Sequence, residues 1–366
     1  MSNESKPRRD VLKGLGAAGA VALAGCSGGG DGDSEGDDGT PTTEQDSIRA
    51  AFAYVGEVRD VGWTAAHDNA RLALEEEYEW VETEFSEGVG QDQASATFSQ
   101  WAEDGVDVMF GTTFEHMDPM FEVAEQYPDT VFEHCSGFRQ NENNMGRYYG
   151  RRYQPEFLCG VAAGHVTETD TLGYIAPIPI PEIIRQLNSF AVGASTVNDS
   201  VSMKVRWLNA WEDPPGSRQA ASALADEGAD VVVNHLDSPA GTAAAAEEEV
   251  WAVATNTPMP EVGGDSYLGS AAFDWSEFYK PTVEDIRNDE WEPDWEWLGL
   301  ESGVAYADIS DNLPDDVVAD VETKQSEILN GERTVWQDTQ FAGWGDTELF
   351  GEITSYVTSV EGSPPE

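Results

Sequence analysis

The chain is predicted to be an α/β protein built as two doubly wound parallel-sheet lobes joined by a hinge of several strands. Three observations carry that expectation. Short β-rich runs alternate with amphipathic helical stretches, the alternation starts afresh near residue 171, and more than 100 residues follow the second series. Strict strand–helix alternation implies a parallel sheet covered on both faces. The folded part, about 320 residues, exceeds what one core comfortably organises.

In the first series, residues 48–56 read as a strand, 64–77 as a helix, 81–86 as a strand and 91–104 as a helix. Residues 107–111 (DVMFG) form a buried strand, 117–127 a helix, 130–134 a strand, and 146–149 a fifth short strand before a helix over 154–166. The second series runs through strand 171–176, helix 181–197, strand 203–209, helix 217–227, strand 230–235, helix 240–249 and strand 251–256. A further strand, 270–275, precedes a helix over 276–288, a Trp-rich segment at 291–297 and a long helix over 314–331. So long a tail indicates that the chain crosses back between lobes. The expected division gives residues 47–168 plus 253–290 to lobe 1, and 169–252 plus 291–366 to lobe 2.

The N-terminus reads as an export address. Arg8 and Arg9 precede an apolar stretch, residues 11–24, that ends in Leu23-Ala24-Gly25-Cys26, a twin-arginine signal followed by a lipobox over residues 1–26. The apolar run is shorter than the ~20 residues a spanning helix needs, so a lipid on Cys26 is the expected anchor to the outer face of the membrane. Residues 27–46 are almost entirely Gly, Asp, Ser, Thr, Glu and Pro, the composition of a disordered acidic tether.

The formal net charge is -51, and only Lys204, Lys280 and Lys324 follow the signal as lysines. Such a surface repels itself at low salt and is tolerable where a Debye length of about 3 Å, at 1 M salt, screens it. The expected source is an extremely halophilic cell. A nucleic-acid partner is excluded by the sign of the charge. Apart from Cys26, Cys135 and Cys159 lie in apolar stretches, where Cys behaves as a small hydrophobe.

Chemistry of catalysis is missing. The five histidines, His67, His116, His134, His165 and His235, show no metal-binding spacing, and no GxSxG elbow stands at a predicted strand-to-helix turn. Cys135 follows His134 directly, and neighbours on a strand point to opposite faces. No phosphate-binding loop of the GxxxxGK[ST] type is present, so any ATP hydrolysis belongs to another subunit. The chain is expected to be a monomeric binding protein with no cofactor and no bound metal.

Ligands of open α/β sheets sit outside the carboxyl ends of the strands. There the chain places Asp60-Val61-Gly62-Trp63-Thr64, Gly111-Thr112-Thr113-Phe114 and His134-Cys135-Ser136 in the first series. The second series adds residues 178–185, Asn209-Ala210-Trp211-Glu212-Asp213, Leu236-Asp237-Ser238, Asn256 and Asp274-Trp275. Trp63, Phe114, Trp211 and Trp275 offer flat apolar faces, and Arg185, Asp237 and Asn256 offer directed hydrogen bonds. Together they suit a planar heterocycle.

The run Pro179-Ile180-Pro181-Glu182-Ile183-Ile184-Arg185-Gln186-Leu187-Asn188-Ser189-Phe190-Ala191-Val192-Gly193-Ala194 resembles the basic membrane lipoprotein (BMP) family of ABC-transporter substrate-binding proteins, relatives of the purine nucleoside receptor lipoproteins. So do Trp211-Glu212-Asp213-Pro214, Gly228-Ala229-Asp230-Val231 and His235-Leu236-Asp237-Ser238-Pro239, and the likeness covers about 300 residues. The resemblance implies a type I periplasmic-binding-protein fold with three hinge crossovers that closes on a purine nucleoside or nucleobase. Its partners would be an ABC permease and ATPase. It also implies that Trp63 stacks on the base, that Thr112 and Phe114 belong to an aromatic-containing loop at the site, and that Asp237 pairs with ribose hydroxyls. Two positions depart from the family pattern: Thr64 stands where Asn is common, and the Lys usual shortly after the Ser at 270 is absent, with Phe273 nearby. A receptor presenting its ligand to a membrane sensor kinase, or a binder of another heterocycle or a sugar, shares this sequence pattern.

Overall fold

The computed structural model describes residues 47–365. The signal, the lipobox with Cys26 and the tether lie outside the described residues.

The first lobe opens with β1 (Ile48–Ala53), α1 (Trp63–Glu77), β2 (Val81–Ser86), α2 (Gln91–Glu103), β3 (Val108–Gly111), α3 (Met117–Ala124), β4 (Val131–Cys135) and β5 (Met145–Gly150). The chain then enters α4 (Tyr153–Val166), β6 (Thr171–Ala176), α5 (Pro181–Val197), β7 (Ser202–Trp207), α6 (Pro214–Asp226), β8 (Val231–Asn234), α7 (Ala240–Glu247), β9 (Trp251–Asn256), α8 (Pro260–Gly263) and β10 (Tyr267–Phe273). Last come α9 (Ser276–Arg287), β11 (Trp295–Leu298), β12 (Ala305–Ile309), α10 (Asp315–Leu329) and α11 (Asp346–Gly351).

The described residues form two six-stranded sheets of matching order, β11-β5-β4-β3-β1-β2 and β12-β10-β9-β8-β6-β7. All pairs are parallel except β10 with β12, an antiparallel edge. The central strands are buried on both faces, as the VMFG of β3 and the VVVN of β8 require of strands sandwiched between helices. In each sheet the strand order reverses once, between β1 and β3 and between β6 and β8, which places a crevice at their carboxyl ends.

The chain passes between lobes three times: after β5, after β10 and after β11. The expected lobe boundaries therefore need correcting. Strand β10 and all but the first two residues of β9, assigned to lobe 1, belong to the second sheet, while β11, assigned to lobe 2, pairs with β5 in the first. Helix α4 likewise packs along α5 and against β10 and β12. Its fit depends on glycines: a Cβ on Gly160 would stand 2.0 Å from the Phe190 carbonyl oxygen, and one on Gly193 2.0 Å from that of Phe157. Gly193 lies in the long run that carried the family resemblance, so part of that run serves close helix packing.

Candidate functional site

The carboxyl ends of the two sheets meet. From the first lobe, the loop after β1 reaches across, with Gly62 N–H donating to Thr257 Oγ1 at 2.9 Å and Trp63 N–H donating to Asp237 Oδ1 at 3.2 Å. Gly62 has φ 102°, and a Cβ there would lie 2.9 Å from the Asp237 carbonyl oxygen, so glycine is required on both counts. At the rim, Arg59 pairs with Glu212 across the lobes. Deeper in, Tyr149 O–H donates to Glu182 at 2.6 Å. The cleft is thus closed by contacts from both sides.

Trp63 is the central aromatic of this contact. Its indole N–H donates to the Thr112 carbonyl at 2.8 Å, which sets the ring's orientation. Phe273 and Trp275 meet it edge-on at 5.7 and 5.8 Å, and Tyr149 lies 6.4 Å away. Thr112 itself is buried, its hydroxyl donating to the Ala53 carbonyl at 2.7 Å. It acts on the site through its backbone.

Asp237 accepts from Trp63 N–H and from Asn256 Nδ2 at 3.0 Å, both on Oδ1, which leaves Oδ2 with accepting capacity. Burial raises its carboxyl to about 6 against the two hydrogen bonds. Asn256 holds a left-handed conformation, φ 69°, and its Oδ1 accepts from Arg152 Nη1. Arg152 begins a buried polar chain that sequence reasoning missed. Its guanidinium also donates to Gln186 Oε1 at 2.5 Å and to His235 Nε2. An arginine cannot accept, so His235 carries its proton on Nδ1 and donates to Tyr174 O–H at 2.6 Å. Burial, aided by Arg152, keeps that imidazole neutral. Tyr174 in turn reaches Glu156, whose carboxyl burial lifts to about 7 even with Arg152 3.6 Å away. Only a run such as Tyr153–Val166 with a charged residue inside an otherwise apolar helix hinted at this cluster.

Two expected ligand contacts are corrected. Arg185, 1% exposed, commits its Nη1 to the carbonyls of Leu349 and Phe350 at 2.9 and 2.6 Å. The open carbonyls at the end of α11 provide the acceptors. Trp275 is fully buried, stacked on His67 at 4.8 Å and on Phe273 at 4.5 Å, so it forms the core beneath the site. Phe114, 53% exposed, sits 6.1 Å from Phe138 on the first lobe's rim. Trp211, 44% exposed, stands on the second lobe's rim, its carbonyl accepting from Asp237 N–H at 3.3 Å. Cys135 and Cys159 are unlinked and buried.

Two α/β lobes of this topology, facing each other across the carboxyl ends of their sheets, define the periplasmic-binding type I class of fold. Residues 47–339 match the family described as ABC transporter substrate-binding protein PnrA-like, and the chain belongs to this Bmp family. A Haloferax volcanii protein named as an ABC transporter glucose-binding protein is 46% identical, over 98% of this chain and 97% of its own. A purine-binding protein of Brucella abortus is 33% identical, over 79% of this chain and 83% of its own. Among solved structures, an ABC transporter solute-binding protein from Conexibacter woesei superposes with a TM-score of 0.68 at 20% identity, covering 79% of this chain and 98% of its own. One from Aeropyrum pernix K1 gives 0.67 at 15% identity, covering 82% and 95%.

Proposed function

We propose that this ABC transporter substrate-binding protein captures a purine nucleoside or nucleobase outside the cell and hands it to a permease. The observation that carries the reading is the Asp237–Trp63 pair: a carboxylate with one oxygen fixed and the other able to accept, beside an indole whose tilt is set from behind. A hydroxyl pair or a ring N–H suits Oδ2, and a flat base suits the indole. Asn256 belongs to this proposal as the residue that orients Asp237, with Phe114 and Trp211 as aromatics at the rim. The purine-binding relative from Brucella abortus supports it. Closure buries the solute between lobes, and the liganded form is the one a permease distinguishes.

A second reading, a hexose, is favoured by the 46% identical relative named for glucose, since an aromatic face and an accepting carboxylate serve a sugar ring as well. Calorimetry in 2 M KCl with adenosine, guanosine, adenine and D-glucose separates the two. Micromolar binding of a purine compound without glucose supports the first reading, binding of glucose alone supports the second, and binding of none overturns both.

The protein is placed on the outer membrane face by a lipid on Cys26. Arg8-Arg9 and the Leu23-Ala24-Gly25-Cys26 box support this, and no helix among the described residues is long and apolar enough to cross a membrane. In cells, Cys26→Ser is expected to move the protein from the membrane fraction to the medium; continued membrane retention overturns the lipid anchor.

A further inference from the structure

The family match ends at residue 339, and the chain beyond it is built into the hinge. This segment is anchored on the second lobe. Asn188 of α5 donates to the Ser355 carbonyl at 2.8 Å and accepts from Val357 N–H at 3.1 Å. Met203 N–H on β7 donates to the Ser359 carbonyl at 2.8 Å, and the Trp207 indole to Tyr356 O–H at 2.9 Å.

From that base α11 reaches the first lobe. The Phe350 ring packs edge-on against Trp295 at 4.9 Å, Trp297 at 5.4 Å and Tyr149 at 6.2 Å, all on β5 and β11 of the first sheet. Asp346 accepts from Arg151 at 2.7 Å, at the first crossing. Arg185 of the second lobe fixes the end of α11 through the Leu349 and Phe350 carbonyls, its guanidinium lying 5.3 Å over Trp297 and 5.5 Å over Phe350. Tyr149 therefore touches Phe350 at 6.2 Å as well as Trp63 at 6.4 Å and Phe273 at 6.1 Å, linking the strap to the interlobe aromatics.

We propose that α11 is a strap across the hinge that holds the closed arrangement of the lobes, with Phe350 the positioning residue that seats Tyr149 against the solute site. The apolar contacts tie a second-lobe segment to first-lobe strands, so opening the cleft must slide or break them. A strap that favours the closed state lowers the cost of closure and slows solute release more than it changes capture. The effect on release rests on the solute-binding reading above; the effect on lobe arrangement does not.

The test uses the mature chain in 2 M KCl. Small-angle scattering without solute is expected to show a larger radius of gyration for Phe350→Ala than for the unaltered protein, with Phe350→Tyr restoring the smaller value. Stopped-flow tryptophan fluorescence with adenosine, and separately with D-glucose, should show release at least tenfold faster in Phe350→Ala and association within threefold. Identical scattering and identical release overturn the strap. Should Phe350→Ala fail to fold by circular dichroism, Phe350→Leu, which keeps apolar volume but removes the ring packed on Trp295, Trp297 and Tyr149, is expected to shift both readouts in the same direction, and no shift in either overturns the proposal. If the unaltered protein binds neither probe, the solute reading fails while the scattering comparison still decides the strap.

Discussion

The backbone N–H of Trp63 on the first lobe and the carboxylate of Asp237 on the second are joined by a 3.2 Å hydrogen bond that spans the cleft. The same carboxyl titrates near 6 because burial disfavours its charge. Solute donors need the ionised form, so affinity is expected to be constant above about pH 7 and to weaken as pH falls through 6. Asp237→Asn should weaken binding ten- to a hundredfold at pH 7.5 and flatten the profile. Titration calorimetry between pH 5 and 8 measures both; a pH-independent affinity in the unaltered protein would remove Asp237 from the site.

Trp63→Ala removes the stacking face and the bond to the Thr112 carbonyl together. A lost stack is worth about 1–3 kcal/mol, so a rise in Kd of tenfold or more is expected. Unchanged affinity by calorimetry excludes Trp63 as a solute contact.

Trp275→Phe tests the reassignment of that residue to the core. Its indole N–H has no hydrogen-bond partner, so the substitution sacrifices no bond, only ring volume in a packed cluster. The expected result is a lower melting temperature, by about 1–3 kcal/mol in stability, with solute affinity within threefold. Large loss of affinity at full stability would return Trp275 to the site.

Glu133, buried in the first sheet, has its carboxyl raised to about 8 by desolvation, against the 2.9 Å bond from the Trp291 indole. Its folded-state value exceeds the unfolded one, so its contribution to stability is complete below about pH 4.5 and is lost as pH rises through 8. Glu133→Gln keeps an acceptor for Trp291 and removes the titration. The variant should melt higher than the unaltered protein at pH 7 to 9, by an amount growing at about 1.4 kcal/mol per pH unit until pH 8. Parallel melting curves across that range would refute the assignment.

The full chain carries a formal charge of -51, so the protein should lose stability as salt falls from 2 M to 0.1 M and the Debye length grows from about 2 Å to about 10 Å. Thermal melts across that series are expected to drop monotonically; a melting temperature indifferent to salt contradicts a halophilic surface.

The strand–helix alternation was legible because period and composition are local properties. Every expected strand from 48–56 to 251–256 has a counterpart, and the loops after β1, β3 and β8 do meet at the interlobe contact. Arg152 escaped notice because the one local hint, a glutamate inside the apolar helix Tyr153–Val166, does not say which distant side chains the arginine meets. Its three acceptors, from Asn256, Gln186 and His235, come from three separate elements.

Sequence alone determined the two βαβ series, the acidic surface and the family, since each is written in short-range pattern or in residues that need no neighbour to be recognised. Tertiary structure decided that β9 and β10 join the second sheet and β11 the first, because strand pairing is made between distant segments. It also decided that Arg185 serves the end of α11 and Trp275 the core. A side chain's task follows from which partner packs over it, and for Arg185 that partner is a helix more than 160 residues away.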